Sequence, residues 1–282
     1  MVVVFCMTVV GLDLTLEDFR RVARHPRLVG VGVLGPVLGL PPLAVALGHA
    51  LALPPAVAEG MVLVAACPTA ILSNLYTALA RATVALSVTV TAVSSVGSVV
   101  TLPLILLLGL GRAVGGEARV SVAVGPLMGQ LVAFLLLPAI LGMVARAAWP
   151  EPARRWAGPL RATSLAAVLA VVAAIVAGQV DRFVAVAGPV VVGAAAFAVV
   201  AMTAGWLTAA FVGGDPGDRF ALAMAWSARN LGIATLVGVT ILGRAELLVF
   251  TAAFFVAQAV LATAAVVGAR VIATARRGGP AA

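Results

Sequence analysis

The chain has 282 residues, 63% hydrophobic and 10% charged, with mean hydropathy +1.19 and a formal net charge of +8. No water-soluble domain of this length could hide so much apolar surface, so most of it faces lipid. The positive balance does not indicate a nucleic-acid partner, because all 18 basic residues are arginine and they cluster in the loops between apolar stretches.

Residues 1–12 are apolar but too short to cross a hydrocarbon core of about 30 Å, which takes about 20 helical residues. They read as the end of a helix and lack the basic region and small-residue cleavage site of a signal peptide. A late start of the reading frame and a shortened first helix are both compatible with them. Glu17 to Arg24 is amphipathic and basic, and is expected on the cytoplasmic interface. The span 27–48 holds Gly35-Pro36 and Pro41-Pro42, and a kink is expected there.

The unit 56–80 reads as broken. Its first half ends at Ala66-Cys67-Pro68-Thr69, where Pro68 removes a donor and frees carbonyls. Its second half starts near Ser73-Asn74. Irregular backbone at membrane depth survives only inside protein or along a wet cavity. The span 84–108 carries Ser87, Thr91, Ser94 and Ser98 at i, i+4, i+7 and i+11, one helical face. That stripe serves either as helix–helix glue or as a set of oxygen ligands. Spans 121–147, 160–180 and 184–212 are uniformly apolar scaffold, with Gln130 and Gln179 read as packing residues. The unit 217–243 is broken again at Arg229-Asn230, and span 246–270, with Gln258 mid-span, closes an expected set of about nine spans.

Loop charge gives an orientation. Arg20, Arg21, Arg24, Arg27, Arg81, Arg146, Arg154, Arg155, Arg161, Arg219, Arg270, Arg276 and Arg277 fall on one side, against Arg112, Arg119, Arg182 and Arg244 on the other. The positive-inside rule then puts the C-terminus in the cytoplasm of a multi-pass protein of the cell's inner membrane. All ten acidic residues fall at span ends or in loops, so the simplest form of a proton or cation relay is absent. Cys6 and Cys67 read as small buried hydrophobes. With two thiols and the isolated His25 and His49, neither a disulfide nor a transition-metal site is indicated.

Arg229 is the exception to this charge pattern, the one charged side chain in the middle of an uncharged hydrophobic stretch. A guanidinium at bilayer depth costs at least about 2.5–3.5 kcal/mol on insertion scales, so it marks a site. Two readings fit it: a partner for an anionic substrate, or a structural cation that snorkels or pins the break through free carbonyls and Asn74 or Asn230.

The two broken units hold corresponding places, each the second-to-last helix of its half, which predicts an inverted repeat with a site where the breaks cross. At this point Ala66-Cys67-Pro68, Ser73-Asn74, Leu79-Ala80-Arg81, Val84-Ala85-Leu86-Ser87-Val88 and Thr91 resemble the central signature of the bile acid:sodium symporter family. Gly11 to Arg20 is similar to that family's second helix end and following loop, and Arg229-Asn230-Leu231-Gly232-Ile233-Ala234 to its second crossover.

The resemblance implies an all-α inverted-repeat membrane transporter with two crossed discontinuous helices. Its core domain spans about 27–108 and 184–272, with broken helices 56–80 and 217–243, and its panel domain about 1–26 and 121–180. It implies a sodium ion held by Ser73, Asn74, Ser87 and Thr91, whose oxygens suit a hard cation. It places the family's coupling glutamate on Ala225, a second-break glutamine on Arg229, an early-helix glutamine near Pro36 and a Gly-Gly on Thr69-Ala70. These departures weaken sodium coupling. Two like charges about 5 Å apart repel by roughly 3 kcal/mol at an effective dielectric of about 20, so Arg229 itself can take the electrostatic role of a sodium ion.

The expected function is secondary active transport of a small organic anion by alternating access. Arg229, Asn230, Thr69 and Asn74 contact the substrate, and sodium coupling is either retained through the reduced site or lost. A metalloid permease using Cys67 and a non-transporting paralogue are the competing readings. An enzyme is not expected, since no nucleophile, base and orienting acid share one depth. Oligomeric state is not encoded in any motif.

Overall fold

The computed structural model describes residues 2–13, 26–113, 124–178 and 186–277. Every regular element in them is helical. In chain order these are α1 (Val2–Asp13), α2 (Pro26–Ala50), α3 (Pro55–Ala66), α4 (Leu72–Leu79), α5 (Val84–Ala113), α6 (Val124–Leu131), α7 (Leu137–Ala148), α8 (Pro150–Gly178), α9 (Ala187–Phe211), α10 (Pro216–Ser227), α11 (Leu231–Thr235) and α12 (Leu248–Arg277). Glu17 to Arg24 and Gln179 lie outside the described residues.

Lipid facing shows as exposed apolar surface. Leu38 on α2 is 71% exposed and Val260 on α12 is 63% exposed, whereas Phe250 and Phe254, on the opposite side of α12, are buried against Phe197 of α9. A soluble helix would show the reverse pattern. By length and composition, Pro26–Ala50, Val84–Leu108, Met128–Ala148, Ala187–Phe211 and Ala245–Ile272 can each cross a membrane. The other expected spans are the short α1, the two interrupted units, and α8, whose first turns carry arginine.

α2 stays helical through Pro36, Pro41 and Pro42, so the expected disturbance there does not interrupt it. The apolar stretch 121–147 contains a π-helical turn at Val132–Leu136, between α6 and α7. A second π turn, Leu236–Ile241, continues α11.

α1 packs along α7 at very short range, because glycine faces backbone from both sides. A Cβ on Gly11 would lie 2.0 Å from the Ala139 carbonyl oxygen, and one on Gly142 would lie 2.2 Å from that of Thr8. Between membrane helices, such small-residue contacts replace the hydrophobic effect as the source of association. Arg146 donates to the Leu12 carbonyl at 2.7 Å, satisfying a group at the carboxyl end of α1.

Each interrupted unit is followed by a helix of 30 residues, α5 and α12 respectively. At one end the units are tied by Thr83, whose amide meets the Gly217 carbonyl at 3.5 Å, and by Arg270, which donates to Leu79 O at 2.7 Å. At the other end Arg244 ion-pairs with Glu59 at 2.6 Å and with Glu246 at 2.8 Å. Glu59 corrects the reading of the acids as peripheral charges: it does sit near a helix start, but its side chain is buried. The Glu59 hydrogen bond, then Glu246, raises the Arg244 pKa above the ordinary guanidinium value. That keeps the pair charged.

Candidate functional site

α3 ends at Ala66 because Pro68 cannot donate, and α10 ends at Ser227 where Ala228 turns extended. The two breaks then lie against each other. Thr69 and Arg229 form an antiparallel bridge. Ala70 N donates to Ala228 O and Asn230 N to Pro68 O, both at 2.8 Å. Each break thus satisfies peptide groups that the other leaves without helical partners, the only stable arrangement at that depth. The crossing expected from the sequence is present in full.

Arg229 is 4% exposed. Its Nη2 donates to the Ala65 carbonyl at 3.2 Å and to the Cys67 carbonyl, while Nε and Nη1 have no protein partner. The guanidinium therefore neutralises the carboxyl end of α3. The carbonyl contacts belong to the structural reading, but the acceptors are neither Asn74 nor Asn230. Two of its three nitrogens are thus buried without a hydrogen-bond partner.

A cavity of about 490 Å³ is lined by Arg229 with Asn74, Asn230 and Arg161, among mainly apolar residues of α1, α4, α5 and α8, although Nε and Nη1 of Arg229 are themselves sealed. The volume falls in the range of small-molecule sites. Asn230 has its Oδ1 committed to capping α11 through Ile233 N at 3.2 Å. Thr69 is not brought to the cavity. Its amide donates to Ser94 Oγ at 3.0 Å and its hydroxyl to Ala225 O at 3.0 Å, so it fastens the crossing to α5 and α10.

Ser73, Asn74, Ser87 and Thr91 do come together. Asn74 Oδ1 accepts from Ser87 at 2.7 Å, Thr91 at 3.2 Å and Ser73 at 3.3 Å, and Ser73 Oγ lies 3.2 Å from Ser87 Oγ and 3.4 Å from Thr91 Oγ1. Oxygens around a hard cation at about 2.4 Å stand about 3.4–3.9 Å apart, so the cluster as it stands is contracted and would have to open by up to about 1 Å to hold one. All four oxygens are neutral. Pro36 and Ala225 carry no side-chain ligand, and beside them the Trp226 indole packs on Gly35, where a Cβ would lie 2.2 Å from Cζ2. Cys67 is buried, with its thiol donating to the Leu63 carbonyl, and does not line the cavity.

Three features were not visible in the sequence: the Glu59–Arg244 pair, the Trp226–Gly35 contact, and Arg161 on the cavity wall. Only Arg161 carried any signal, its position at the edge of an apolar run.

The family model described as "Sodium Bile acid symporter family" matches residues 1–186. A protein of Oryza sativa subsp. japonica named "Probable sodium/metabolite cotransporter BASS2, chloroplastic" is 40% identical over 147 residues, 52% of this chain and 34% of that relative. "Uncharacterized sodium-dependent transporter YocS" of Bacillus subtilis (strain 168) is 31% identical over 169 residues, 60% of this chain and 51% of that protein. "Probable sodium/metabolite cotransporter BASS1, chloroplastic" of Arabidopsis thaliana is 40% identical over 95 residues, 34% and 24% of the two chains. The matches thus span about half or less of these relatives' length.

Proposed function

The chain belongs to the Sodium Bile acid symporter family, and we propose from that premise that it carries a small organic anion across the cytoplasmic membrane by alternating access. The observation that carries this reading is Arg229: a buried cation at the crossing of two interrupted helices, with Nε and Nη1 unpartnered, on a residue that lines a cavity. A desolvated guanidinium with donors to spare selects a carboxylate or sulfonate, and the apolar remainder of the wall selects a substrate with an apolar body.

The cavity lies at a seam. One side is α1 and α8, of the proposed panel (about 1–26 and 121–180). The other is α4, the start of α5 and the crossover, of the proposed core (about 27–108 and 184–272). Rocking of core against panel would expose such a cavity to either side in turn. With the C-terminus cytoplasmic, the wall from Asn74 through Ala78 to Val84 leads from the crossing toward the cytoplasm, so this conformation faces inward.

Sodium is a co-substrate in this reading, held by Ser73, Asn74, Ser87 and Thr91. Asn74 belongs to both the oxygen cluster and the cavity wall. A cation that repositions Asn74 would change anion affinity, and by linkage the anion would change cation affinity equally. The neutral cage makes that binding weak, and the fixed charge of Arg229 supplies part of what a bound cation would offer the anion.

The test is anion uptake into proteoliposomes with and without an inward sodium gradient. Uptake that Arg229→Gln abolishes supports the reading. Uptake indifferent to Arg229→Gln removes Arg229 as the anion's partner, and absence of any carboxylate or sulfonate uptake favours the non-transporting alternative.

A further inference from the structure

The helical stretch from Val124 to Ala148 packs on two different bodies. Its first part, α6, lies against α5 of the proposed core, and Leu131 at its end is buried in the same apolar cluster as Leu102 and Leu106 of α5. Its last part, α7, lies against α1 and α8 of the proposed panel. The π turn Val132–Leu136 sits between the two parts and touches both α1 and α5. The attachments differ in rigidity as well as in partner. α7 is clamped to α1 where Gly11 and Gly142 bring backbone against backbone, whereas Gly125 and Gly129 of α6 face open space.

The turn between them can bend at small cost. The Leu137 N–H donates to the Val132 carbonyl, and the Ala133 carbonyl, one residue nearer, is its α-helical alternative. A change of angle there exchanges one bond for the other and strands no donor. Pro138 has no N–H, so it cannot extend the wide pattern into α7, and it denies the Phe134 carbonyl an α-helical donor. Bending is thereby confined to this one turn, and sharp kinks in helices arise at such turns. Val132, Phe134 and Leu137 are exposed apolar side chains, so the change of angle disturbs lipid contacts rather than a close-packed interior.

We propose that the π turn Val132–Leu136 is the hinge of the transport cycle: α7 swings with α1 and α8 as one rigid panel, while α6 stays with α5 and moves with the core. This rests on the alternating-access reading and goes beyond it, since the seam between the moving parts then lies inside a membrane helix and not in the connection between 108 and 121. The second π turn, Leu236–Ile241, has no such role, because α11 before it and the Arg244–Glu59 pair after it both belong to the proposed core. A swing of about 20° at the hinge displaces Val144, about 15 Å further along α7, by about 5 Å.

The experiment is pulsed electron–electron double resonance on nitroxide pairs in the full chain, in lipid nanodiscs with and without sodium octanoate, a carboxylate with an apolar body. The labels sit at exposed positions, Val144→Cys on α7, Gly129→Cys on α6 and Val260→Cys on α12, in a Cys6→Ala, Cys67→Ala background. The expected result is a distance between positions 144 and 260 that is bimodal or shifts with octanoate, by about 5 Å, while the distance between 129 and 260 stays single and fixed. Deletion of Ala133 together with Pro138→Ala, which turns the wide turn into ordinary α-helix, is expected to collapse the 144–260 distribution to one distance. A 129–260 distance that varies with 144–260, or a bimodal 144–260 distribution that survives the straightening, would overturn the hinge and leave alternating access standing. Both distances fixed under every condition would overturn the hinge and alternating access together.

Discussion

Thr69 and Arg229 face each other across a single antiparallel bridge, flanked by two backbone hydrogen bonds of 2.8 Å. This makes the crossing a pivot rather than a pair of adjacent kinks, because neither break is satisfied without the other. The same residue that supplies backbone to the bridge donates from its guanidinium to the carboxyl end of α3 and is among the residues that line the cavity. A structural role and the proposed anion recognition thus meet in Arg229, and its variants separate them.

Arg229→Gln should lower anion binding about 10- to 100-fold, since a charge-assisted contact is worth about 1.5–3 kcal/mol. It should also lower stability by about 1–3 kcal/mol, because the Ala65 and Cys67 carbonyls lose their side-chain donor. Arg229→Lys keeps a charge but cannot serve both carbonyls and a ligand, so intermediate values are expected for both. Titration and thermal unfolding of the same preparations check the two effects independently.

The crossing was legible in the sequence for a simple reason. Proline and strongly polar side chains inside apolar runs are expensive, so Pro68, Asn74 and Arg229 had to be at breaks, and the breaks had to be protein-buried. The hydroxyl stripe was legible too, since Ser87, Thr91, Ser94 and Ser98 keep helical spacing and all are buried. What the stripe does was not. Ser94 turns to the Thr69 amide while Ser87 and Thr91 turn to Asn74, a division set by where α4 packs rather than by period. Glu59 and Arg244 look like ordinary span-end charges, and nothing local to either announces the other. The π turn at Val132–Leu136 has no glycine or proline within it to signal it.

Ser87→Ala and Thr91→Val should separately reduce any sodium stimulation of anion binding by about tenfold each, as each removes one of four neutral ligands. Sodium-free binding through Arg229 should persist, because neither hydroxyl lines the cavity. Anion titrations across a sodium series, with choline replacing sodium, give both quantities. Stimulation that survives both substitutions would place the coupling ion elsewhere.

Gly142→Leu should separate α1 from α7. Even a Cβ there would lie 2.2 Å from the Thr8 carbonyl oxygen, and backbone on both sides leaves little room to yield. A loss of about 3 kcal/mol or more is expected, at the upper end of overpacking. Gly129→Leu, on α6 where an added Cβ meets nothing, is the matched control and should be nearly neutral. Thermal unfolding in detergent distinguishes them.

The Glu59–Arg244 pair predicts a stability that is flat on the alkaline side. The raised Arg244 pKa means its contribution is fully present below the unfolded guanidinium pKa and is lost only as pH rises through the still higher folded value, beyond any usable range. Glu59→Gln should then destabilise by about 1–3 kcal/mol, less than the 3–5 typical of a fully buried pair because Arg244 is 30% exposed and still holds Glu246. Arg244→Gln should cost more, since it strands a buried carboxylate. The double variant should recover part of that loss, giving a positive coupling in a double-mutant cycle measured by thermal unfolding between pH 7 and pH 9. A coupling near zero would mean that the outer ends of the two interrupted units are held by packing alone.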